Sequence, residues 1–163
     1  MSELQSRIEK FKNPSEIHEQ LFVGYLWRTP SLYQKYRSHT IDQSTFTKDI
    51  WFYFYWLGKE MYDNGVRTFD DVSVYSYVDS RKEKKSKKGI SYYYDEFGRY
   101  ETIRVLKDEC DADKENDEYH FSEIQKYETL RKFEENGLIN INNTKLVDKL
   151  IKMNLQQMKM FFQ

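Results

Sequence analysis

The chain has 163 residues, of which 39% are hydrophobic, 33% charged and 17% aromatic, and its formal net charge is -1. This length predicts one domain with room for an appendage, and the composition predicts a soluble protein with a core of large rings. No apolar run approaches the roughly 20 residues that span a bilayer, and the N-terminus lacks the apolar region of a signal peptide. The near-neutral charge argues against capture of nucleic acid by bulk electrostatics. The single cysteine excludes an internal disulfide and is typical of a reducing cytosol.

The first third of the chain predicts short helices that begin at prolines. Residues 1–12 carry apolar side chains at helical spacing and predict a short helix or a docked arm. An asparagine cap followed by proline at residues 13 and 14 predicts the start of the next helix, in which Gly24 would allow a close helix crossing. Pro30 repeats the start signal for a short second helix. Residues 39–46 then form a connection with two apolar side chains pointing inward.

Residues 47–65 predict the central helix of the fold. They contain six consecutive aromatic residues, and Thr47 or Asp49 can cap the start while Gly65 ends the helix. The apolar stripe at helical spacing consists of Ile50, Phe54, Leu57 and Met61. A helix that is apolar around most of its circumference is usually buried on several sides, so we interpret this segment as a core helix. The alternative is a base-stacking platform, which is normally built on a sheet or in a groove.

A basic segment follows a further short helix. Asp70 can cap a helix over the next residues, although their alternating pattern would also fit a strand. Residues 81–97 predict a lysine- and tyrosine-rich loop, and residues 100–106 resume a helical pattern. The basic run is typical of a solvated loop; the alternative is a phosphate-contacting patch assisted by the tyrosines at 92–94. The candidate nucleic-acid contacts are Arg81, Lys82, Lys84, Lys85, Lys87 and Lys88.

The charge reverses at residues 108–118, which hold seven acids and one lysine. We interpret residues 111–118 as an acidic linker between a globular helical subdomain, residues 1–110, and a C-terminal unit, residues 119–163. A calcium loop is excluded because the glycine and the terminal glutamate of that motif are absent.

The C-terminal unit predicts a helical hairpin. An amphipathic helix ends at Gly137, a second helix is capped near Asn143, and Asn154 caps a last segment. A hairpin detached from the bundle cannot bury both of its faces, so we expect it to pack on a second copy; the alternative is a hairpin folded back onto the bundle. The candidate self-association residues are Leu130, Phe133, Leu138, Leu150, Met158 and Phe161.

No pattern in the sequence predicts chemistry. The phosphate-binding motif G-x-x-x-x-G-K-[ST] does not occur, and neither a nucleophilic triad nor a carboxylate pair is apparent. The three histidines are too far apart in sequence for metal-ligand spacing. The helical patterns along the chain predict an all-α protein. The missing motifs lead us to expect that it is not an enzyme and has no catalytic residue, no cofactor and no metal.

The order of these weak signals resembles a known family. The matching segments are residues 19–26, 46–51, 65–74, 98–103, 124–137 and 153–162. Together they are similar to the N-terminal domain of DnaB-family replicative DNA helicases, especially phage-type members, over roughly residues 14–163. The chain departs from that family in an insertion at residues 81–95 and in Arg99, which replaces a glycine.

The resemblance implies a non-catalytic collar above a motor ring, built from dimers, which docks primase or a helicase loader in DNA replication. DNA would be reached only through a motor domain, and the location would be cytoplasmic, in a bacterium or a phage-infected cell. The chain ends within an amphipathic pattern, so we expect a fragment of a longer protein. Two alternatives stay open: a free-standing phage protein that mimics a collar subunit to regulate the host helicase or primase, and a small single-stranded nucleic-acid-binding protein.

Overall fold

A computed structural model describes residues 3–110, 116–140 and 142–161, with side chains from residue 14 onward. As predicted, the chain is all-α, and no strand occurs within these ranges. The helices are α1 (Glu3–Arg28), α2 (Leu32–Lys35), α3 (Asp49–Asp63), α4 (Asp71–Ser80), α5 (Ile90–Glu96), α6 (Arg99–Glu109), α7 (Asp117–Glu135), α8 (Thr144–Lys152) and α9 (Leu155–Phe161). A single 3-10 turn, Gln43–Thr45, joins α2 to α3.

Helix α1 is continuous across Pro14, so the helix start predicted at residues 13 and 14 is wrong. A proline inside a helix removes one backbone hydrogen bond and costs about 3 kcal/mol. The turns that follow bury Phe22, Val23, Leu26 and Trp27 almost completely, which offsets that cost. A local start signal contains no information about this burial, so it misplaced the beginning of the helix.

Helix α3 is the central core helix that the sequence predicts. Phe54, Leu57 and Met61 of its stripe are fully buried. The indole of Trp27 on α1 donates to the Phe54 carbonyl (2.9 Å), so α1 is fixed against the middle of α3. Neither predicted residue caps the helix: Lys48 occupies the cap position without a side-chain hydrogen bond.

The segment after α3 is more helical than predicted. Asp70 caps α4 by accepting a hydrogen bond from the Ser73 amide (2.8 Å), which decides between helix and strand. Helix α5 lies within the predicted loop at residues 81–97, where its seven residues are too few for a clear periodic signal. Helix α6 then crosses α1 at Gly24, as predicted, because a glycine lets the two backbones approach.

Helix α7 begins earlier than predicted, and its first half packs on the bundle. Helix α7 starts at Asp117, inside the segment assigned to the acidic linker; residues 111–115 lie outside the described ranges. Asp117 is buried and accepts hydrogen bonds from the Tyr36 hydroxyl (2.5 Å) and the Lys35 ammonium (2.8 Å). Phe121 stacks on Phe22 of α1, with 5.1 Å between ring centroids, so the first half of α7 belongs to the main core.

A second, smaller core lies beyond this contact, and we call the helices that form it the C-terminal unit: the second half of α7 with α8 and α9. Its buried side chains are Tyr127, Leu130, Ile139, Val147, Leu150 and Met158. The predicted stops and caps are present: Gly137 has a φ of 72°, the Asn143 side chain accepts from the Leu146 amide, and Asn154 caps α9 through Gln157.

Candidate functional site

A basic loop is fastened at its base by the one acidic residue of the run. The Glu83 carboxylate accepts hydrogen bonds from the amides of Ser91 (3.0 Å) and Tyr92 (2.8 Å) and from the Ser91 hydroxyl (2.9 Å). Loss of hydration raises the pKa of Glu83, but these hydrogen bonds outweigh that effect and lower the pKa to about 2. The Glu83 carboxylate therefore stays ionised and is held against the turn by these hydrogen bonds. We call residues 84–88 the lysine loop.

The six candidate nucleic-acid contacts lie in and beside the lysine loop, and all of them are exposed. The Arg81 guanidinium lies over the Tyr77 ring, 3.7 Å from its centroid, and the Lys88 ammonium lies 5.2 Å from the centroid of Tyr92. Within the described ranges, the other lysines of the loop have no ion-pair partner. All six predicted cations are therefore open to solvent, with Arg81 and Lys88 also placed over aromatic rings.

A cavity lined with rings opens between α3 and α5, beside this loop, and has a volume of about 340 Å³. We call it the aromatic cleft; its apolar lining consists of Phe52, Tyr53, Trp56, Ile90, Tyr93 and Phe97. The Tyr53 hydroxyl donates to the Ile90 carbonyl (2.6 Å) and holds α5 against α3. The rings of Tyr93 and Phe97 stack with centroids 5.7 Å apart. At the rim, the Asp49 carboxylate accepts a hydrogen bond from the Gln43 amide (3.0 Å).

Sequence reasoning did not find this cleft. It singled out the tyrosines at 92–94, but Tyr94 is buried and only Tyr93 of the three lines the cavity. The available signal was the spacing of Tyr93 and Phe97, which are four residues apart and therefore on one face of a helix. Because the sequence did not predict helix α5, nothing in it placed this face beside Trp56.

The six candidate self-association residues divide into two groups. Leu130, Leu150 and Met158 are fully buried in the core of the C-terminal unit, so they build it rather than contact a partner directly. Phe133 is half-buried against that core, whereas Leu138 is 58% exposed and Phe161 is 42% exposed. Sequence reasoning missed Met160, which is 64% exposed on α9.

A polar junction joins α1, the turn before α3, and α7. The Glu19 carboxylate is completely buried and accepts hydrogen bonds from the Thr47 amide (2.6 Å) and the Ser15 hydroxyl (2.7 Å). Arg131 of α7 donates to the carbonyls of Ser44 (3.2 Å) and Thr45 (3.3 Å). Burial raises the pKa of Glu19, and the hydrogen bonds and the positive charge of Arg131 oppose that rise.

A histidine pair lies on the same α1–α7 contact. The Nδ1 atoms of His18 and His120 are 3.0 Å apart, which requires one imidazole to donate and the other to accept. Burial lowers the pKa of both groups. The charge of His18 further lowers the pKa of His120, and Lys126 lowers that of His18. Glu123 opposes this by raising the pKa of both histidines, and Asp117 raises that of His120. The residues are 102 positions apart, so no sequence pattern could pair them.

Acidification is expected to weaken the α1–α7 contact. Because folding lowers the pKa of both histidines, the unfolded chain binds protons more readily, and stability present above about pH 6.5 is lost as the pH falls through the lowered values. Urea unfolding at pH 7 and pH 5.5 should give a lower free energy of unfolding at pH 5.5. His120→Phe should reduce this difference, while His39→Asn, on an exposed residue outside the pair, should preserve it; equal differences in all three proteins would contradict the assignment.

Among the described residues, no group of three or more His, Cys, Asp or Glu side chains could hold a metal ion. No helix in the described ranges is long and apolar enough to cross a membrane. No protein-family model, curated protein or solved structure matches the chain.

Proposed function

We propose that this chain is a non-catalytic interaction module that associates with itself through its C-terminal unit. In the same proposal it forms the collar domain of a replicative DNA helicase and docks primase or a helicase loader in the cytoplasm. The observation that supports self-association is the C-terminal unit itself, a small hydrophobic core with large apolar side chains left on its surface. The replication role rests on the resemblance of the residue pattern to DnaB-type N-terminal domains.

The size of the second core favours a partner. Among the described residues its buried set contains six side chains, and small cores bury too little apolar surface to be more than marginally stable. Exposed apolar residues are ordinary when they are scattered singly, but Leu138, Met160 and Phe161 all belong to this one unit. Covering them with a second copy would remove apolar surface from water, at about 25 cal/mol per Å².

The buried members of the predicted set have a different role in this proposal. Leu130, Leu150 and Met158 hold the unit together, while Leu138 and Phe161 carry the contact. Removing a core residue would unfold the unit and give an uninformative loss of association. The test therefore uses exposed positions only.

The double variant Leu138→Asp with Phe161→Asp is expected to weaken self-association at least tenfold, because each charge must lose water at the contact. The measurement is sedimentation velocity over a range of protein concentrations. The matched control is Val72→Asp with Val105→Asp, which places the same charges at exposed apolar positions on α4 and α6. A wild-type protein that stays monomeric at every concentration, or an equal effect of both doubles, would contradict the proposal.

The replication role is tested by a second sedimentation velocity experiment. Primase or loader from the same replicon should co-sediment with the wild-type chain. Co-sedimentation with neither protein, in a chain that does associate with itself, would leave the interaction module standing and remove the helicase assignment.

A further inference from the structure

We propose that the lysine loop and the aromatic cleft together form a binding site for single-stranded nucleic acid. A base enters the cleft and stacks on its rings, while phosphates of the flanking backbone contact the lysines. This contact is independent of the proposed collar function, in which a separate motor domain holds the DNA.

The electrostatic part of the site is local. The chain as a whole is nearly neutral, but residues 81–88 carry six cations and one acid, a local excess of five positive charges, and the carboxylate of that acid, Glu83, faces Ser91 and Tyr92. The lysines of the loop therefore present a concentrated positive charge to solvent. Neutralising phosphates with such a patch releases counterions and makes binding dependent on salt.

The apolar part of the site has the size and chemistry for a base. A cavity of about 340 Å³ is within the range of small-ligand pockets. Aromatic rings bind single strands by stacking, and this is tolerant of sequence because every base has a π-face. The ring of Tyr93 is 37% exposed at the cleft and lies 5.7 Å from Phe97, so a base can reach it without opening the core.

The chain itself joins the two parts. Gly89 and Ile90 line the cleft, and Gly89 directly follows Lys88 at the end of the lysine loop. Tyr53 fixes this segment through the Ile90 carbonyl, so the lysines start at the edge of the cleft. A strand with one base in the cleft would bring its next phosphates to the loop.

The acidic rim favours a neutral base over a carboxylate inside the cleft. The Asp49 carboxylate borders the cleft and would repel a carboxylate entering beside the aromatic rings. The same carboxylate can accept a hydrogen bond from a base, since the Watson–Crick edges of unpaired bases are free to hydrogen-bond with protein side chains. An aromatic cleft, a hydrogen-bond acceptor at its rim and lysines outside it fit a base with its phosphates.

The test is fluorescence anisotropy with a labelled oligothymidylate of about 12 nucleotides, at salt concentrations from about 50 to 200 mM. With about three phosphate contacts, log affinity should fall against log salt with a slope of about -2. Lys84→Gln with Lys85→Gln and Lys87→Gln leaves Lys88 as the one lysine of the loop, so it should bring the slope to about -0.7 and weaken binding at low salt at least tenfold. The matched control is Lys145→Gln with Lys152→Gln and Lys159→Gln, which removes the same charge from exposed positions of the C-terminal unit and should change neither value.

The cleft is tested separately from the loop. Tyr93→Ala should weaken binding by about fivefold or more with the salt slope unchanged, and Tyr93→Phe, which keeps the ring, should retain wild-type affinity. No binding at low salt, an equal loss in both lysine triples, or displacement of the oligonucleotide by an acidic peptide at lower concentration than by unlabelled oligonucleotide would overturn the proposal. Leu138→Asp with Phe161→Asp should still bind, so a failure of self-association can be told apart from a failure here.

Discussion

Replacing Glu19 with alanine is expected to lower the free energy of unfolding by about 3 kcal/mol. The carboxylate is completely buried and accepts hydrogen bonds from the Thr47 amide and the Ser15 hydroxyl. Alanine would leave the amide unpaired in the interior, and a buried donor without a partner costs about 1–3 kcal/mol. It would also remove a negative charge near Arg131, which burial already disfavours in its charged form.

Glutamine at this position is the informative control. Burial raises the pKa of Glu19, so a neutral side chain of the same shape loses little by desolvation. Its oxygen can still accept from the Thr47 amide. We therefore expect Glu19→Gln to stay within about 1 kcal/mol of wild type in urea unfolding, in line with the modest net value of a hydrogen bond. A loss as large as that of Glu19→Ala would mean that the charge, not the hydrogen bonds, holds the junction.

The parts of the fold that the sequence predicted are those with local causes. Helix α3 could be identified because its stripe repeats every three or four residues, and Asp70, Asn143 and Asn154 could be identified as caps because capping needs only residues a few positions apart. The close crossing at Gly24 was also predictable, since a glycine in a helix interior costs stability unless something approaches it.

The parts that were missed depend on contacts between distant residues. Asp117 lies inside an acidic run, so the sequence assigned it to a linker. In the structure it accepts hydrogen bonds from Tyr36 and Lys35, which are 81 and 82 positions away in the sequence. The histidine pair was missed for the same reason, since its two residues are also far apart in the sequence. Helix α5 was missed as part of a site because its aromatic face forms a cleft only together with Trp56 of α3. The resemblance to helicase collar domains stays a prediction, because no family, curated protein or solved structure matches.

Replacing Gly24 with alanine is expected to destabilise the protein by about 2 kcal/mol, against the direction that helix propensity predicts. Alanine in a helix interior is favoured over glycine by about 1 kcal/mol, so propensity alone would make this variant more stable. A Cβ atom on Gly24, however, would lie 2.8 Å from the Leu106 carbonyl oxygen and 2.7 Å from the Cys110 sulfur. The backbone of α6 cannot turn away as a side chain can, because Arg28 donates to the carbonyls of Lys107 (2.7 Å) and Cys110 (2.9 Å).

The sign of the change in the free energy of unfolding tests whether α1 and α6 cross as closely as they do in the structure. Urea unfolding of Gly24→Ala should give a lower midpoint with an unchanged slope, since the surface exposed on unfolding stays the same. The control is Ile17→Ala on the same helix, where a 59% exposed side chain should change stability by less than about 0.5 kcal/mol. Burial raises the pKa of the Cys110 thiol to about 12, which makes it unreactive. Because the added methyl group opens the crossing, this thiol should become more reactive toward alkylating reagents in Gly24→Ala. A more stable Gly24→Ala protein with an inert thiol would mean that the two helices lie further apart.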